Sequence, residues 1–391
     1  MSEAVSNDSS SPSTTAASAP KASAGLQGVI AAPSSICFID GTAGRLVYRG
    51  YEITDLVGNV SFEETSYLLW DEKLPTSAQL NQLQQDLGSS MSLPPHVIAV
   101  LKALPASTPV MDALRTAVSA LSSIDSDLHS NDRDANRRKA IRLTAQIGTI
   151  IAAFHRLRKG QDPIAPDPKL SIAANFLYML NGKVPHETLT HVFDAALVLH
   201  AEHGFNASTF AARVTAATLA DMHAGVTAAI AALKGPLHGG ANQEVMELLL
   251  QCNDAEHAEQ KVKSMLANKE KVPGFGHRVY KTVDPRANFL RKMSRELGEA
   301  AHNSKWYEMS ERLIPIMQEK KLNPNVDFFS ASAYYTMGIP IDLYTPIFAL
   351  ARVAGWTAHV MEQHANNRII RPQDDYTGPF GLKVTPIGQR R

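Results

Sequence analysis

The chain has 391 residues, of which 44% are hydrophobic and 19% charged, a composition typical of a globular protein with two domains or an inserted lobe. Its 38 basic and 38 acidic residues cancel, so no overall field attracts nucleic acid or an anionic membrane, and neither is expected as a partner. Cys37 and Cys252 are too few for a disulfide framework and do not form a CxxC pair. We therefore expect a reducing, cytoplasmic setting.

The N-terminal segment, residues 1–24, is rich in Ser, Ala and Thr and has no apolar core. It matches neither a secretory signal nor a basic amphipathic transit peptide, and it predicts a disordered tail. The most apolar stretch of the chain, residues 214–233, carries Asp221 and His223. These two polar residues favour a buried helix over a membrane span.

Order is predicted to begin near Gly25. Residues 36–40 and 45–48 flank a glycine-containing turn and predict one β-hairpin. Helical periods dominate from there: Ser61 and Glu64 form a capping box at the start of one helix, and a Thr or Ser caps the next, which begins near residue 76.

The rest of the chain is predicted to be mostly helical. The polar run 122–140 predicts a surface loop, and prolines at 163, 166 and 168 mark another break. Further helices are predicted over residues 170–181, 186–203, 208–233, 241–252, 256–269, 285–299, 303–320, 326–337 and 343–366. Because no βαβ alternation occurs, the sequence does not favour a Rossmann domain.

A histidine stands in an unusual setting in the sequence GPLHGG, residues 235–240. Pro236 ends the preceding helix, while Gly239 and Gly240 allow a ligand or a second backbone to approach His238 closely. The imidazole can lie at the N-terminal end of the following helix, where its neutral form is favoured and can donate a hydrogen bond. A capping or core histidine is the alternative.

A local positive cluster occurs in the sequence KVPGFGHRVYKTVDPRA, residues 271–287, which contains His277, Arg278, Lys281 and Arg286. In a protein without net charge, such a cluster favours binding of phosphate or carboxylate. A solvated basic turn is the alternative, although the two glycines before the histidine indicate a loop pressed against another surface.

Asp327 stands near the start of an otherwise apolar and aromatic helix, in the sequence NPNVDFFSASAYYTMGIP. As an N-terminal cap it would need no further explanation. The functional alternative is a carboxylate at the mouth of an apolar pocket.

Two further segments hold polar residues in apolar surroundings. His200, Glu202 and His203 suggest a metal site, but the two histidines lack a third ligand at a recognisable spacing, so no metal is expected. Arg352 lies inside an apolar helix, where an unpaired guanidinium is costly, and should meet an anion. Arg371 precedes Pro372, which predicts a position at a helix exit.

Together these segments resemble the citrate synthase family over roughly residues 25–378. The sequences that carry the resemblance are, in order, GPLHGGANQEV, VPGFGHRVYKTVDPRA, NVDFFSASAYYTMGIP and LARVAGWTAHVMEQ. The resemblance implies an all-α enzyme in which a large helical domain, residues 25–239 and 339–391, surrounds a smaller helical domain, residues 240–338. It also implies a homodimer or an assembly of dimers, with catalysis between the domains after closure.

The resemblance also assigns roles to residues. The enolate-stabilising histidine of the family falls on His238, the oxaloacetate-polarising histidine on His277, and the base on Asp327. The oxaloacetate carboxylate ligands fall on His203, Arg286, Arg352 and Arg371, the last of which reaches the site of the neighbouring subunit. The coenzyme A contacts fall on Val272, Gly274, Phe275, Gly276, Lys281 and Asn325. No metal or redox cofactor is called for, since the coenzyme A thioester is a substrate.

The implied reaction condenses acetyl-CoA with oxaloacetate and hydrolyses citryl-CoA to citrate and CoA, a step of the tricarboxylic acid cycle. Members of the family that make 2-methylcitrate from propionyl-CoA use the same motifs, so this alternative stays open on the sequence. A helical scaffold or binding protein without activity is a remote alternative. The presence of His238, His277, Asp327 and the three arginines argues against it.

Overall fold

The computed structural model describes residues 24–26 and 28–390 and divides the chain into two compact units. The larger unit, Ser34–Ile370, holds all three strands and every α-helix of the described chain. It also holds every predicted site residue except Arg371. Of the predicted disordered tail, residues 1–23 lie outside the described residues.

The smaller unit combines residues from both chain ends, Met1–Pro33 and Arg371–Arg391. Its described part contains only two 3-10 turns, one near each end of the chain. In the C-terminal segment the rings of Tyr376 and Phe380 pack edge to face with centroids 4.9 Å apart.

The larger unit is built from three strands and sixteen α-helices. The strands are Cys37–Asp40 (β1), Arg45–Tyr48 (β2) and Tyr51–Glu52 (β3). The helices are Ile53–Leu56 (α1), Phe62–Asp71 (α2), Ser77–Ser90 (α3), Pro95–Ala103 (α4), Val110–Leu121 (α5), Arg133–Leu157 (α6), Ile172–Asn181 (α7), Glu187–His200 (α8), Ala207–Ala216 (α9), Met222–Leu233 (α10), Ala241–Leu250 (α11), Ala255–Ala267 (α12), Pro285–Ala300 (α13), Lys305–Glu319 (α14), Val326–Thr336 (α15) and Tyr344–Ala365 (α16).

The predicted hairpin is confirmed and extended by one strand. β1 and β2 pair antiparallel, with Cys37 opposite Tyr48 and Asp40 opposite Arg45, and β3 adds a short third strand that the sequence did not predict. Asp40 closes the turn, because its Oδ1 accepts hydrogen bonds from the backbone N–H groups of the two residues after Gly41, each at 2.9 Å.

The predicted helix caps are confirmed. The Ser61 side chain accepts a hydrogen bond from the backbone of Glu64, whose carboxylate bonds back to the Ser61 N–H, and Thr76 and Gln79 repeat this arrangement at α3. Each capping box satisfies two backbone N–H groups that have no partner inside the helix.

The single helix predicted over residues 208–233 is wrong, because the chain forms α9 and α10 with a break between them. Leu219 adopts a left-handed conformation with φ of 64°, and Asp221 caps α10 by accepting the N–H of Ala224 at 3.0 Å. The apolar pattern continues across the break, so periodicity alone does not reveal it.

The surface loop predicted over residues 122–140 is wrong in its second half, because α6 begins at Arg133. Asp132 caps that helix and accepts the N–H of Ala135 at 2.8 Å. Basic residues of the helix then pair with the preceding loop, as Arg138 does with Asp127 at 2.5 Å. The cap and these ion pairs satisfy polar groups of a run that the sequence predicts as loop.

Helix α16 forms the centre of the larger unit. Most of its side chains are buried, Arg352 included, and it packs against α6, α9 and α10. Helices α11 to α15 pack mainly on one another, with α13 against α15 and α12 against α14, and α11 contacts α16. The division into a small domain, residues 240–338, and a large domain on either side of it in the sequence stays a prediction. No α-helix of the described chain is both long enough and apolar enough to cross a membrane.

Candidate active site

Two predicted histidines, far apart in the sequence, meet in one aromatic cluster. The ring of His203, in the link between α8 and α9, lies 5.3 Å from the ring of His277 in the loop before α13. Tyr280 completes the cluster, with its hydroxyl 3.1 Å from Nε2 of His203. The fold therefore brings a predicted carboxylate ligand and a predicted catalytic histidine side by side.

The backbone fixes the tautomer of His277. Its Nδ1 accepts hydrogen bonds from the N–H groups of Val279, at 3.0 Å, and Tyr280, at 3.2 Å, so the proton of the neutral ring is on Nε2. Burial, and then the charge of Arg286, lowers the pKa of His277 to about 4. At pH 7 the ring is neutral and presents Nε2–H as a donor.

His238 has the opposite tautomer. Its Nε2 lies 2.8 Å from the Ser208 hydroxyl and accepts the backbone N–H of Ser208 at 3.3 Å. Because an amide N–H can only donate, the ring proton is on Nδ1. Burial, and then the charge of Arg352, lowers the pKa of His238 to about 4, so burial rather than the nearby helix terminus is the main cause of its neutrality.

The glycine after His238 has a structural reason. A Cβ at Gly239 would lie 2.5 Å from the carbonyl oxygen of Leu233, at the end of α10, and 2.9 Å from Cγ2 of Thr345. At Gly240 the nearest atom to such a Cβ is 3.9 Å away. Of the two possibilities open from the sequence, Gly239 thus serves the close approach of a second backbone.

Asp327 is not the cap of its helix. The cap of α15 is Asn325, whose side chain accepts the backbone N–H of Asp327 at 3.0 Å. Within the described residues no hydrogen bond engages the Asp327 carboxylate. Burial raises the pKa of Asp327 to about 7, while the charge of Arg286 opposes the shift. A carboxyl group with these properties is suited to accept a proton.

Two buried arginines retain free guanidinium N–H groups. Arg286 binds Asp284 through Nε at 3.0 Å and Nη2 at 2.8 Å. Arg352 donates from Nε to the carbonyl oxygen of His200 at 2.7 Å and lies over the ring of Phe348. Among the described residues, Nη1 of Arg286 and both Nη atoms of Arg352 have no acceptor. These groups can bind a carboxylate.

The arginines and the predicted catalytic residues act on one another electrostatically. Burial, and then the charge of Arg286, lowers the pKa of His203 well below its usual range, with a smaller contribution from Arg352. The same two charges oppose the raised pKa of Asp327. The charge of Arg286 thus affects the pKa of His203, His277 and Asp327, and the charge of Arg352 affects that of His203, His238 and Asp327.

The loop predicted to contact coenzyme A is folded onto the segment before α15. The N–H of Gly276 donates to the Asn323 carbonyl at 2.9 Å, and the N–H of Asn325 donates to the Gly274 carbonyl at 3.0 Å. The Asn325 side chain donates to the Gly276 carbonyl at 3.0 Å. These backbone groups are therefore engaged within the protein.

The other residues of this predicted set differ in exposure. Val272 and Phe275 are buried, and the ring of Phe275 lies 4.3 Å from that of Phe328. Lys281 is exposed, and its backbone N–H donates to the carbonyl of Gly41 in the hairpin turn at 2.8 Å. Coenzyme A binding by these residues stays a prediction.

Arg371 belongs to the smaller unit, and its side chain is exposed. Helix α16 ends at Ala365, so Arg371 lies in the irregular segment beyond it rather than directly at a helix exit. Its role toward a neighbouring subunit stays a prediction.

Comparison with known proteins places the chain in a family. A family model described as "Citrate synthase, C-terminal domain" matches residues 25–373. The chain belongs to the citrate synthase family. Citrate synthase 2 of Bacillus subtilis strain 168 is 50% identical over 372 residues, which cover 94% of this chain and 99% of that protein. Citrate synthase of Haloferax volcanii is 51% identical over 372 residues, covering 94% and 98%.

The solved structures agree with this citrate synthase assignment. A citrate synthase from the archaeon Thermoplasma acidophilum, in a ternary complex with carboxymethyl coenzyme A and oxaloacetate, matches with a TM-score of 0.89 and 32% identity. The match covers 95% of this chain and 100% of that one. The predicted all-α citrate synthase fold is thereby confirmed. A further relative, 2-methylcitrate synthase 2 of Corynebacterium glutamicum, is 42% identical over 372 residues, covering 94% and 97%.

Three residues of the candidate citrate synthase site were not singled out from the sequence. Tyr280 and Asp284 lie inside the motif that contains His277, so their positions offered a signal. Ser208 follows a cap residue at the start of α9, and no sequence pattern links it to His238. Its pairing with that histidine arises from tertiary structure alone.

The three residues that suggested a metal site have separate partners. Nδ1 of His200 lies 2.7 Å from the Ala196 carbonyl oxygen, whereas Glu202 pairs with His359 and His203 with Tyr280. Among the described residues, no group of three His, Cys, Asp or Glu side chains is arranged to hold a metal ion.

Proposed function

We propose that this protein condenses acetyl-CoA with oxaloacetate and hydrolyses citryl-CoA, releasing citrate and CoA. The observation that carries the proposal is that two buried histidines are neutral with fixed tautomers, His238 with its proton on Nδ1 and His277 with its proton on Nε2, while the Asp327 carboxylate has no hydrogen-bond partner among the described residues and a raised pKa. Proton removal beside a carbonyl requires a base and a donor to the developing enolate at the same place.

Oxaloacetate binds first, through its carboxylates. Arg286 and Arg352 offer the guanidinium N–H groups that have no protein acceptor, and His203 lies beside His277 in the same cluster. Because Arg286 already pairs with Asp284, the negative charge of oxaloacetate chiefly offsets the burial of the Arg352 guanidinium. Because oxaloacetate binds before acetyl-CoA, the thioester of acetyl-CoA is not hydrolysed before condensation.

Proton transfer to Asp327 alone is too unfavourable. If the acetyl C–H is no more acidic than water, with a pKa of about 15.7, transfer to a carboxylate of ordinary pKa is uphill by roughly 12 units, on the order of 16 kcal/mol. The raised pKa of Asp327, about 7, leaves roughly 9 units, or about 12 kcal/mol. A hydrogen bond from Nδ1–H of His238 to the enolate oxygen lowers this remaining gap.

Carbon–carbon bond formation follows. The enolate carbon attacks the oxaloacetate ketone while Nε2–H of His277 donates a hydrogen bond to the ketone oxygen as it becomes an alkoxide. The alkoxide then takes up one proton, which balances the one that Asp327 removed from the methyl group, so that citryl-CoA carries a hydroxyl group and the Asp327 carboxylate is restored. Water then cleaves the thioester of citryl-CoA and gives citrate, CoA and a proton. No further cofactor is proposed, because the coenzyme A thioester is a substrate.

Three finer points belong to the same proposal. Coenzyme A contacts the loop 272–276, Lys281 and Asn325, with support from the family resemblance. The enzyme acts as a homodimer or an assembly of dimers, in which Arg371 reaches the neighbouring site. Its location is the cytoplasm, a proposal supported by the two unpaired cysteines Cys37 and Cys252.

The experiment that tests the proposal compares release of the free CoA thiol from acetyl-CoA and from propionyl-CoA, each with oxaloacetate. We expect the higher kcat/KM with acetyl-CoA. Higher kcat/KM with propionyl-CoA would identify a 2-methylcitrate synthase. Release from neither would contradict the proposed activity and favour an inactive scaffold.

A further inference from the structure

Glu202 and His359 form a fully buried hydrogen bond that the proposed mechanism does not use. Nε2 of His359 lies 3.1 Å from Oε1 of Glu202, and both side chains are completely buried. Nδ1 of His359 lies 3.1 Å from Nη1 of Arg213. Because a guanidinium can only donate, the proton of His359 is on Nε2 and is directed at Glu202.

This hydrogen bond joins the two segments that carry proposed oxaloacetate ligands. Glu202 directly precedes His203 in the link between α8 and α9. His359 lies on α16, about two turns beyond Arg352 and on the same face of the helix. The bond therefore sets how the segment of His203 lies against the helix of Arg352.

The same two segments are in close contact around the bond. A Cβ at Gly355 would collide with Oε2 of Glu202 and would lie 2.5 Å from the carbonyl oxygen of Ala201. Arg352 donates to the His200 carbonyl at 2.7 Å. A glycine is thus required where α16 passes over the segment that carries Glu202.

The bond is poorly suited to a purely stabilising role. Oε2 of Glu202 has no hydrogen-bond partner among the described residues, and a buried carboxylate with an unsatisfied oxygen is unfavourable. Apolar side chains would fill this space with less loss of solvation. Their packing would not, however, fix one geometry as a directional hydrogen bond does.

We propose that Glu202 and His359 are positioning residues for oxaloacetate. Their hydrogen bond holds His203 and Arg352 at the separation that the dicarboxylate requires, and Gly355 provides the space for it. Neither residue touches the substrate. The inference rests on the proposed function, because it concerns the same site.

The test measures oxaloacetate affinity by calorimetry in the absence of any acyl-CoA, together with kcat and KM. We expect Glu202→Ala and His359→Ala each to weaken oxaloacetate binding about tenfold or more, with kcat at saturation changed less than about threefold. Because Glu202 and His359 act through one hydrogen bond, the double alanine variant should bind oxaloacetate no more weakly than the single variant with the lower affinity. Gly355→Ala should reproduce the effect by displacing Glu202.

Two further variants separate positioning from general damage. Glu202→Gln keeps an acceptor oxygen in place and should retain at least about three times the affinity of Glu202→Ala. His364→Gln is the matched control: His364 lies on the same helix and also makes two hydrogen bonds, one with Asn136 at 3.0 Å and one with Ala220 at 3.1 Å. It should leave oxaloacetate affinity within about twofold of the unmodified protein.

Thermal unfolding identifies variants that do not fold. If an alanine variant does not fold, Gly355→Ala and His359→Gln should still show the loss of oxaloacetate affinity, with His364→Gln as the control. Fully additive losses in the double variant would overturn the inference, as would lower kcat with unchanged oxaloacetate affinity or an equal loss in the His364 control. Thiol release separates failure of the proposed function from failure of this inference. If the unmodified protein releases no thiol, the proposed function is wrong, whatever the variants show.

Discussion

The Ser208 hydroxyl lies 2.8 Å from Nε2 of His238, on the side of the ring opposite the nitrogen that carries the proton. The same hydroxyl oxygen accepts the indole N–H of Trp356 at 3.1 Å. The hydroxyl proton of Ser208 has two acceptors within reach, Nε2 of His238 and Oδ1 of Asn206 at 2.7 Å, while the Ser208 backbone N–H also donates to Nε2. Ser208 therefore links a buried side chain of α16 to His238. This link makes the donor at Nδ1 available without protonation of the ring.

Replacement of Ser208 by alanine should lower kcat about tenfold and leave oxaloacetate affinity unchanged, because the backbone N–H of Ser208 alone would then hold the tautomer. It should also destabilise the protein by about 1–3 kcal/mol, since the Trp356 N–H loses its acceptor. Steady-state kinetics and thermal unfolding measure both effects. Ser310→Ala is a matched control, because Ser310 is buried but bonds only within α14, to the Trp306 carbonyl. A kcat for Ser208→Ala equal to that of the control would contradict this role.

The pH dependence of turnover should follow Asp327. The base must be ionised, and its pKa is raised to about 7, whereas the pKa values of His238 and His277 are lowered to about 4. We expect kcat/KM for acetyl-CoA to fall about tenfold per pH unit below the pKa and to level off above it. The midpoint should lie near or above 7, because bound oxaloacetate adds negative charge. A flat profile between pH 5 and 8 would exclude Asp327 as the base.

The same shift predicts a pH-dependent gain in stability for Asp327→Asn. The folded-state pKa of Asp327 exceeds its ordinary value, so the folded protein binds more protons than the unfolded chain between about pH 4 and 7. Stability is therefore lost as the pH rises through this window, by at most about 1.4 kcal/mol per unit and less because the group is partly exposed. The Tm of Asp327→Asn relative to the unmodified protein should be higher at pH 8 than at pH 4. An equal difference at both pH values would contradict the raised pKa.

Arg371 should complement a site in a second subunit. In a mixture of Arg371→Ala and His277→Ala chains, each inactive alone, one site of the heterodimer combines an intact His277 with an intact Arg371 from the partner. Activity should return to about half per heterodimer, since one of the two sites is complete. Purification of the heterodimer through two different tags provides the control for mixing. A purified heterodimer without activity would place Arg371 in its own subunit's site or outside the chemistry.

Features with a local signal in the sequence could be predicted, whereas features that depend on tertiary contacts could not. Helices with capping boxes, such as α2 at Ser61 and α3 at Thr76, were found because their signals are local. The break before Asp221 was missed because the apolar pattern runs through it. His238 and His277 were recognisable because unusual glycine-containing loops surround them.

The relations between these residues could not be predicted in the same way. The sequence places Asn325 and Asp327 near one helix start, but only the backbone conformation decides that Asn325 is the cap and that Asp327 is free. The pairing of Ser208 with His238 depends on the packing of α9 beside the loop before α11. The tautomers of the two histidines follow from such tertiary contacts.

The most direct test of the central claim compares thiol release from acetyl-CoA with oxaloacetate by the unmodified protein and by Asp327→Ala, with oxaloacetate affinity measured on both by calorimetry. Asp327 acts on the other substrate, so the account predicts that the variant binds oxaloacetate within about threefold of the unmodified protein while condensation is nearly abolished. Full activity in Asp327→Ala would contradict the assignment of the base and the mechanism built on it.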